Sequence, residues 1–219
     1  MAQNAAEPKP PYAPEQALSL LKEGNARFAA GRSVHPDLGL ARLREVAETG
    51  QRPFAAVLAC SDSREPVELL FDRGIGDLFV IRVAGNVCST DEIGSIEYAL
   101  ARLEVPLLVV LGHTDCGAVT AVALNERLPG SMPRLVDNIR MAVLNTELSH
   151  PELKGEALVP LAIEANVWQA IGDLFIRSPI AREEVKSGKL QVLGALFDIA
   201  TGKVDWLGPH PEQARLLGY

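Results

Sequence analysis

Cysteine is scarce in this chain. Three thiols among 219 residues, Cys60, Cys88 and Cys116, are too few and too odd a number for a disulfide framework, which leaves thiol chemistry or metal binding as their use. Basic excess is also missing: 21 Lys and Arg stand against 28 Asp and Glu, and no basic block offsets the formal net charge of −7. That balance argues against nucleic acid or an anionic membrane surface as the main partner. No uninterrupted apolar run approaches the roughly 18 residues that a membrane span needs, so no membrane partner is expected. The opening MAQNAAEPKPPYAPEQ has neither the basic start nor the apolar stretch of a secretion signal and reads as a Pro-rich arm. Sparse, reduced cysteine points to the cytoplasm; a periplasmic chain whose signal had been removed would read the same way. No internal repeat is present, and no low-complexity segment beyond the arm.

What is there is an ordinary globular composition, 47% hydrophobic and 22% charged, enough for one compact α/β domain over residues 1–219. After the arm, PEQALSLLKEGNARFAAG places Ala17, Leu18, Leu21 and Phe28 at near-helical spacing and stops at Gly31. A second helix is expected after Asp37, as its N-cap, through LARLREVAE to Gly50. The pattern then changes. FAAVLAC, DLFVIRVAGN and PLLVVLG are short continuous apolar runs, each followed by a polar loop and a helix-like segment, as in buried parallel strands with helical crossovers. The segments between and after them, PVELLFD, DEIGSIEYALARL (capped by Thr90 or Asp91) and GAVTAVALNERL, read as helices. LAIEANVWQAIGDLFIR is a further amphipathic helix, and KLQVLGALFDIATGKVDWLG reads as two strands joined at Thr201-Gly202. The expected architecture is a mostly parallel central sheet with flanking helices, an N-terminal helical arm and a C-terminal strand hairpin.

In an open parallel sheet, ligands bind beyond the carboxyl ends of the strands. Cys60 ends the first apolar run and His113 follows the third, in GHTDCGAV, three residues before Cys116. Two thiolates and an imidazole on one crevice make a zinc set. With no fourth Cys or His at hand, one coordination position stays open for water or for Asp62. An open position on zinc lowers the pKa of bound water to about 7 and yields a hydroxide nucleophile. Asp62 and Arg64, two apart in CSDSREP, suit a charge-assisted pair in which the carboxylate orients that nucleophile and the guanidinium keeps it off the metal. Plain structural roles stand beside these: Cys60 as a small core hydrophobe, and Asp62 with Arg64 as a loop salt bridge. Thiolate catalysis of the tyrosine-phosphatase kind fits poorly, since Arg64 is only four residues from Cys60 and Asp62 would repel phosphate. Asp115, beside the ligands, is a candidate for an outer role, and Cys88 receives none.

CSDSREP, GDLFVIRVAGNV, GSIEYAL and GHTDCGAV, in this order and spacing, resemble the β-class carbonic anhydrases, and the likeness runs from LKEGNARFAAG to GKVDWLG. The resemblance implies zinc on Cys60, His113 and Cys116, an Asp62-Arg64 dyad, and reversible hydration of carbon dioxide to bicarbonate and a proton. It is to the plant-like branch, whose pocket residues correspond to Gln51, Phe79 and Tyr98. Ala84 is expected to join them in an apolar slot for a small uncharged substrate. It also implies a homodimer or larger homo-oligomer, up to a tetramer, in which those three residues reach across from a partner subunit. Residues 1–50, arm and helices, would pack on that partner, and residues 51–219 would form the core. Two positions depart from relatives. Val57 stands where a bicarbonate-inhibited branch carries tryptophan, and Arg102 where plant relatives carry a shuttle histidine, so protons should leave through Tyr98, water or buffer. Hydrolysis of carbon disulfide on the same scaffold, and a non-catalytic zinc-stabilised interaction module, are the alternatives.

Overall fold

The computed structural model of the protein describes residues 12–218. Residues 1–11, most of the expected Pro-rich arm, lie outside them.

The three apolar runs form the strands β1 (Ala55–Ala59), β2 (Leu78–Arg82) and β3 (Leu107–His113), joined by β4 (Gln191–Phe197) and β5 (Val204–Gly208) in one sheet of order β2-β1-β3-β4-β5. β1 pairs in parallel with β2 and β3, and β3 with β4; β5 runs antiparallel to β4, closing the expected hairpin. β1 and β3 show no polar alternation because both of their faces are covered, and every residue in them is buried. Successive side chains still point to opposite sides. Ala56, Leu58, Leu108 and Val110 enter one cluster, while Ala55, Val57, Leu107 and Val109 enter the other.

α4 (Thr90–Leu103) and α7 (Val159–Arg177) cover the first face with Ile96, Leu100, Ile171 and Phe175. α1 (Pro14–Ala29) and the single turn α3 (Val67–Leu70) cover the second. On α1 the buried Ala17, Leu21, Gly24 and Asn25 share one side. Gly24 is required there, since a Cβ at that position would fall 1.8 Å from the carbonyl oxygen of Phe71. Asn25 fastens α1 to the sheet: Nδ2 donates to the carbonyls of Leu70 and Gly202 at 3.2 and 2.9 Å, and Oδ1 accepts the Val204 N–H at 2.9 Å. Both donors of this buried amide and its acceptor oxygen are thus engaged.

Several boundaries differ from expectation. α2 (Leu40–Thr49) starts from Gly39, because Asp37 has φ 53° and its carbonyl accepts the Ile75 N–H. α4 is preceded by Ser89, whose N–H donates to Oε2 of Glu92 at 3.0 Å, so neither Thr90 nor Asp91 is its cap. α5 (Gly117–Ala123) stops short of NERL, where Asn125 turns to φ 53°. PVELLFD yields only the four residues of α3, since Asp72 turns to φ 49°. The sequence pattern does not announce α6 (Met132–Ser149), α8 (Pro179–Lys186) or α9 (Gln213–Leu217). α6 buries Val136, Ile139 and Val143 in a third cluster that includes Cys60 and Cys116. Among the described residues no helix is long and apolar enough to cross a membrane.

Candidate metal centre and active site

The chain leaves β1 toward β2 on one side and returns to β3 on the other, so β1 and β3 flank a topological switch point. Such a point, beyond the carboxyl ends of the strands, is where an open α/β sheet holds a ligand. Cys60 follows the last residue of β1, and Cys116 immediately precedes α5. His113 is the final residue of β3, where the sequence pattern suggested the loop beyond it.

The side chains converge as expected. Both sulfurs and a ring nitrogen of His113 lie within 4.8 Å of one another, and all three residues are buried. Nδ1 of His113 hydrogen-bonds the Thr114 carbonyl at 2.8 Å, which leaves Nε2 with a free lone pair. Thr114 is itself pinned: its N–H donates to the Phe197 carbonyl at 2.9 Å, and its Oγ1 accepts the Ile199 N–H at 3.1 Å. Nε2 is buried without a hydrogen-bond partner. Such an orphan beside two sulfurs is the donor arrangement a metal cation fills.

The thiol of Cys116 chiefly, then His113 and the N–H groups of Gly85 and Asp62, draw the Cys60 pKa down to about 4 against the opposing effect of burial. Gly85 N lies 3.2 Å from that sulfur. Cys116, as the donor to Cys60 and a buried group, is shifted upward. These neighbours of Cys60, the Gly85 N–H among them, favour the thiolate that a metal needs.

Asp62 and Arg64 form the expected pair. Arg64 Nε and Nη2 donate to the two carboxylate oxygens at 3.0 and 2.8 Å, and the Arg64 N–H donates to Oδ1 at 2.9 Å. This guanidinium holds the Asp62 carboxyl well below the usual carboxylate range. Arg64 also donates to the carbonyl of Asp115 at 3.2 Å, so Asp115 takes part through its main chain.

Gln51, Phe79 and Tyr98 do not join this group within one chain. Phe79 pairs with Ala56, toward the amino end of β1, and Gln51 is exposed ahead of that strand. Tyr98 on α4 stacks on Phe79, centroids 6.1 Å apart, and is 49% exposed. Ala84 does lie near the centre, in the short 3-10 turn Ala84–Asn86 that also carries Gly85. Cys88 is elsewhere in the core, its thiol pushed up to about 12 by burial.

The sequence reading passed over three residues that surround Cys60. Glu65 accepts the Cys60 N–H at 2.9 Å, and burial pushes its carboxyl up to about 8. Arg82 donates to the carbonyls of Cys60 and Asp62 at 2.9 and 2.6 Å. Asn166 donates to the Gly85 carbonyl at 2.8 Å. The signal for Asn166 was an amide among the apolar residues on the buried side of α7; for Glu65, a carboxylate inside the CSDSREP motif itself.

A family model described as carbonic anhydrase matches residues 55–204. A tetrameric β-carbonic anhydrase from Sordaria macrospora superimposes with a TM-score of 0.70 at 28% identity, over 89% of this chain and 96% of that one. The chain belongs to the β-carbonic anhydrase family. The β-carbonic anhydrase CafA of Aspergillus fumigatus gives a TM-score of 0.71 at 28% identity, over 93% and 96% of the two chains. Among curated relatives, a carbonic anhydrase of Mycolicibacterium smegmatis is 38% identical over 88% of this chain and 92% of its own. Carbonic anhydrase 2 of Mycobacterium tuberculosis is 39% identical over 87% and 91%. As a β-carbonic anhydrase, the protein is an enzyme of reversible carbon dioxide hydration.

Proposed function

We propose that Cys60, His113 and Cys116 hold a zinc ion, and that this centre hydrates carbon dioxide with Asp62 and Arg64 aiming the attacking water. The observation that carries this reading is the orphaned Nε2 of His113, turned toward two sulfurs and 3.9 Å from Oδ2 of Asp62. Zinc bound there supplies the Lewis acidity that makes water a nucleophile near neutral pH. Oδ2 of Asp62, 3.9 Å from Nε2 of His113, would accept a hydrogen bond from a water held there and so direct its lone pair. Arg64 grips both oxygens of Asp62 and prevents the carboxylate from taking the metal itself. Ala84 lines an apolar slot for the substrate, and the amide of Gln51 from a second subunit donates to one substrate oxygen. Arg102 offers no acceptor for a proton, so the released proton passes to buffer, water or Tyr98.

A homodimer or larger assembly, a tetramer included, supplies that second subunit along with Phe79 and Tyr98. Three features support this. β2 is an edge strand, no residue of α2 is buried, and Leu40 and Leu43 stand 58% and 48% exposed on it. The whole chain then acts as one domain in which α1 is held on its own sheet and the exposed α2 packs on the partner. Its compartment is the cytoplasm, in keeping with three unpaired thiols.

The test is stopped-flow carbon dioxide hydration at about pH 8.5, on protein of measured zinc content, before and after chelation. Turnover proportional to zinc is expected. Close to one zinc per chain with no hydration would overturn the reading.

A further inference from the structure

The Cys60 peptide is gripped at both edges. Its N–H donates to Oε2 of Glu65 at 2.9 Å, and its carbonyl accepts from Nε of Arg82 at 2.9 Å. Nη2 of Arg82 continues to the Asp62 carbonyl at 2.6 Å, and the Glu65 N–H closes on the same carbonyl at 3.1 Å. A carboxyl group and a guanidinium thus hold, from opposite edges, the short run that carries both a candidate metal ligand and the orienting carboxylate.

Glu65 is the unusual member of the two. It is 0% exposed, its Oε1 has no hydrogen-bond partner, and among the described residues it enters no ion pair. A carboxyl group so placed is a poor way to fill space, because an aliphatic side chain of similar size would pack there without a desolvation penalty. What an aliphatic side chain lacks is an acceptor for the Cys60 N–H. The sheet offers none: the pairing of β1 with β3 ends at Ala59 and Leu111, and on the β2 side the next N–H to be taken is that of Ser61, by the Val83 carbonyl. The donor of Cys60 falls where the ladder has stopped and water is excluded.

We propose that Glu65, with Arg82 as its counterpart, is a positioning residue of the metal centre. It sets the plane of the Cys60 peptide and thereby the direction in which the Cys60 sulfur meets the metal. This rests on the metal-site reading above, and its test reads metal binding, so it stands or falls apart from carbon dioxide turnover.

Glu65→Gln, Glu65→Met and Arg82→Met are compared with the unaltered protein. Zinc affinity is measured by chelator competition, and sulfur geometry by the visible bands of the cobalt(II)-substituted protein. Glu65→Met should weaken zinc binding about 10- to 100-fold, the range for loss of an outer partner of a ligand, and should shift the cobalt bands. Glu65→Gln keeps an oxygen acceptor for the Cys60 N–H and should restore most of the affinity and the original spectrum. Arg82→Met should shift the bands by less, since water can replace a donor to an edge carbonyl. A folded Glu65→Met protein with unaltered affinity and spectrum overturns the proposal, as does Glu65→Gln as weak as Glu65→Met. Should Glu65→Met fail to fold, an unaltered cobalt spectrum in Arg82→Met overturns it equally.

Discussion

Oδ2 of Asp62 stands 3.9 Å from Nε2 of His113, and the carboxylate is held at that distance by two hydrogen bonds from Arg64 behind it. It faces the ligand cluster without joining it. On the proposed reading, a carboxylate held from behind in this way is available to a water beside the ligand cluster.

Replacement of Asp62 by Asn tests this role. The amide keeps the shape but loses the charge and one acceptor. Hydration should fall about 10- to 100-fold with zinc content unchanged. A fully active, fully loaded Asp62→Asn enzyme would remove Asp62 from the mechanism, whereas a catalytically silent unaltered protein with zinc in place would favour the structural-module alternative. Because Arg64 depresses the Asp62 pKa, Arg64→Ala should move the acid loss of activity to higher pH.

Gly85 links the metal centre to α7. Its N–H points at the Cys60 sulfur from 3.2 Å, and its carbonyl is held by Asn166. It has φ 74°, and a Cβ there would lie 2.6 Å from Cδ1 of Ile139 and 3.1 Å from Cβ of Ala118. Gly85→Ala should therefore lose about 1–3 kcal/mol of stability from strain and overpacking. Denaturant unfolding measures this, and an unchanged midpoint would show that α6 yields at Ile139.

Asp72 sets the acid limit of the α1–α2 connection. Its buried carboxylate takes Nε of Arg27 at 2.6 Å and the N–H groups of Val34 and His35 at 3.0 and 2.8 Å. Burial alone would raise its pKa, but Arg27 and these N–H groups outweigh it and leave the value depressed. A depressed carboxyl contributes stability that is present above the unfolded value of about 3.9 and is lost as pH falls through the folded one. Asp72→Asn should lower the melting temperature near pH 7 by about 4–8 °C, and the gap to the unaltered protein should narrow below about pH 4. Melting curves across pH would show a constant gap if Asp72 carried no linkage.

Much of this was legible in the chain itself. β1 and β3 could be read because strands buried on both faces are unbroken apolar runs, and the ligands follow or end those runs. Asp62 and Arg64 could be paired because two residues on one loop need no tertiary knowledge to meet. α6 escaped because Met141, Leu144 and Leu148 are 50%, 45% and 72% exposed, which blurs the apolar stripe that marks a helix. The start of α2 was misplaced because Asp37 is a good cap by type but occupies a left-handed turn set by Ile75, far along the chain.

The strand-end cysteine, the His-x-x-Cys pair and the local Asp62-Arg64 dyad could be read from the chain alone, since each is a matter of residue type and short spacing, while the class of enzyme came from the resemblance of those motifs to a known family. Tertiary structure alone decided that Nδ1 of His113 is tied to Thr114, that Glu65 and Arg82 grip the Cys60 peptide, and that Asn166 reaches Gly85 across 81 positions. The physical reason is that a buried donor or acceptor must find a partner wherever the packed elements bring one. Which atom that will be depends on strand register and helix placement rather than on neighbours in the chain.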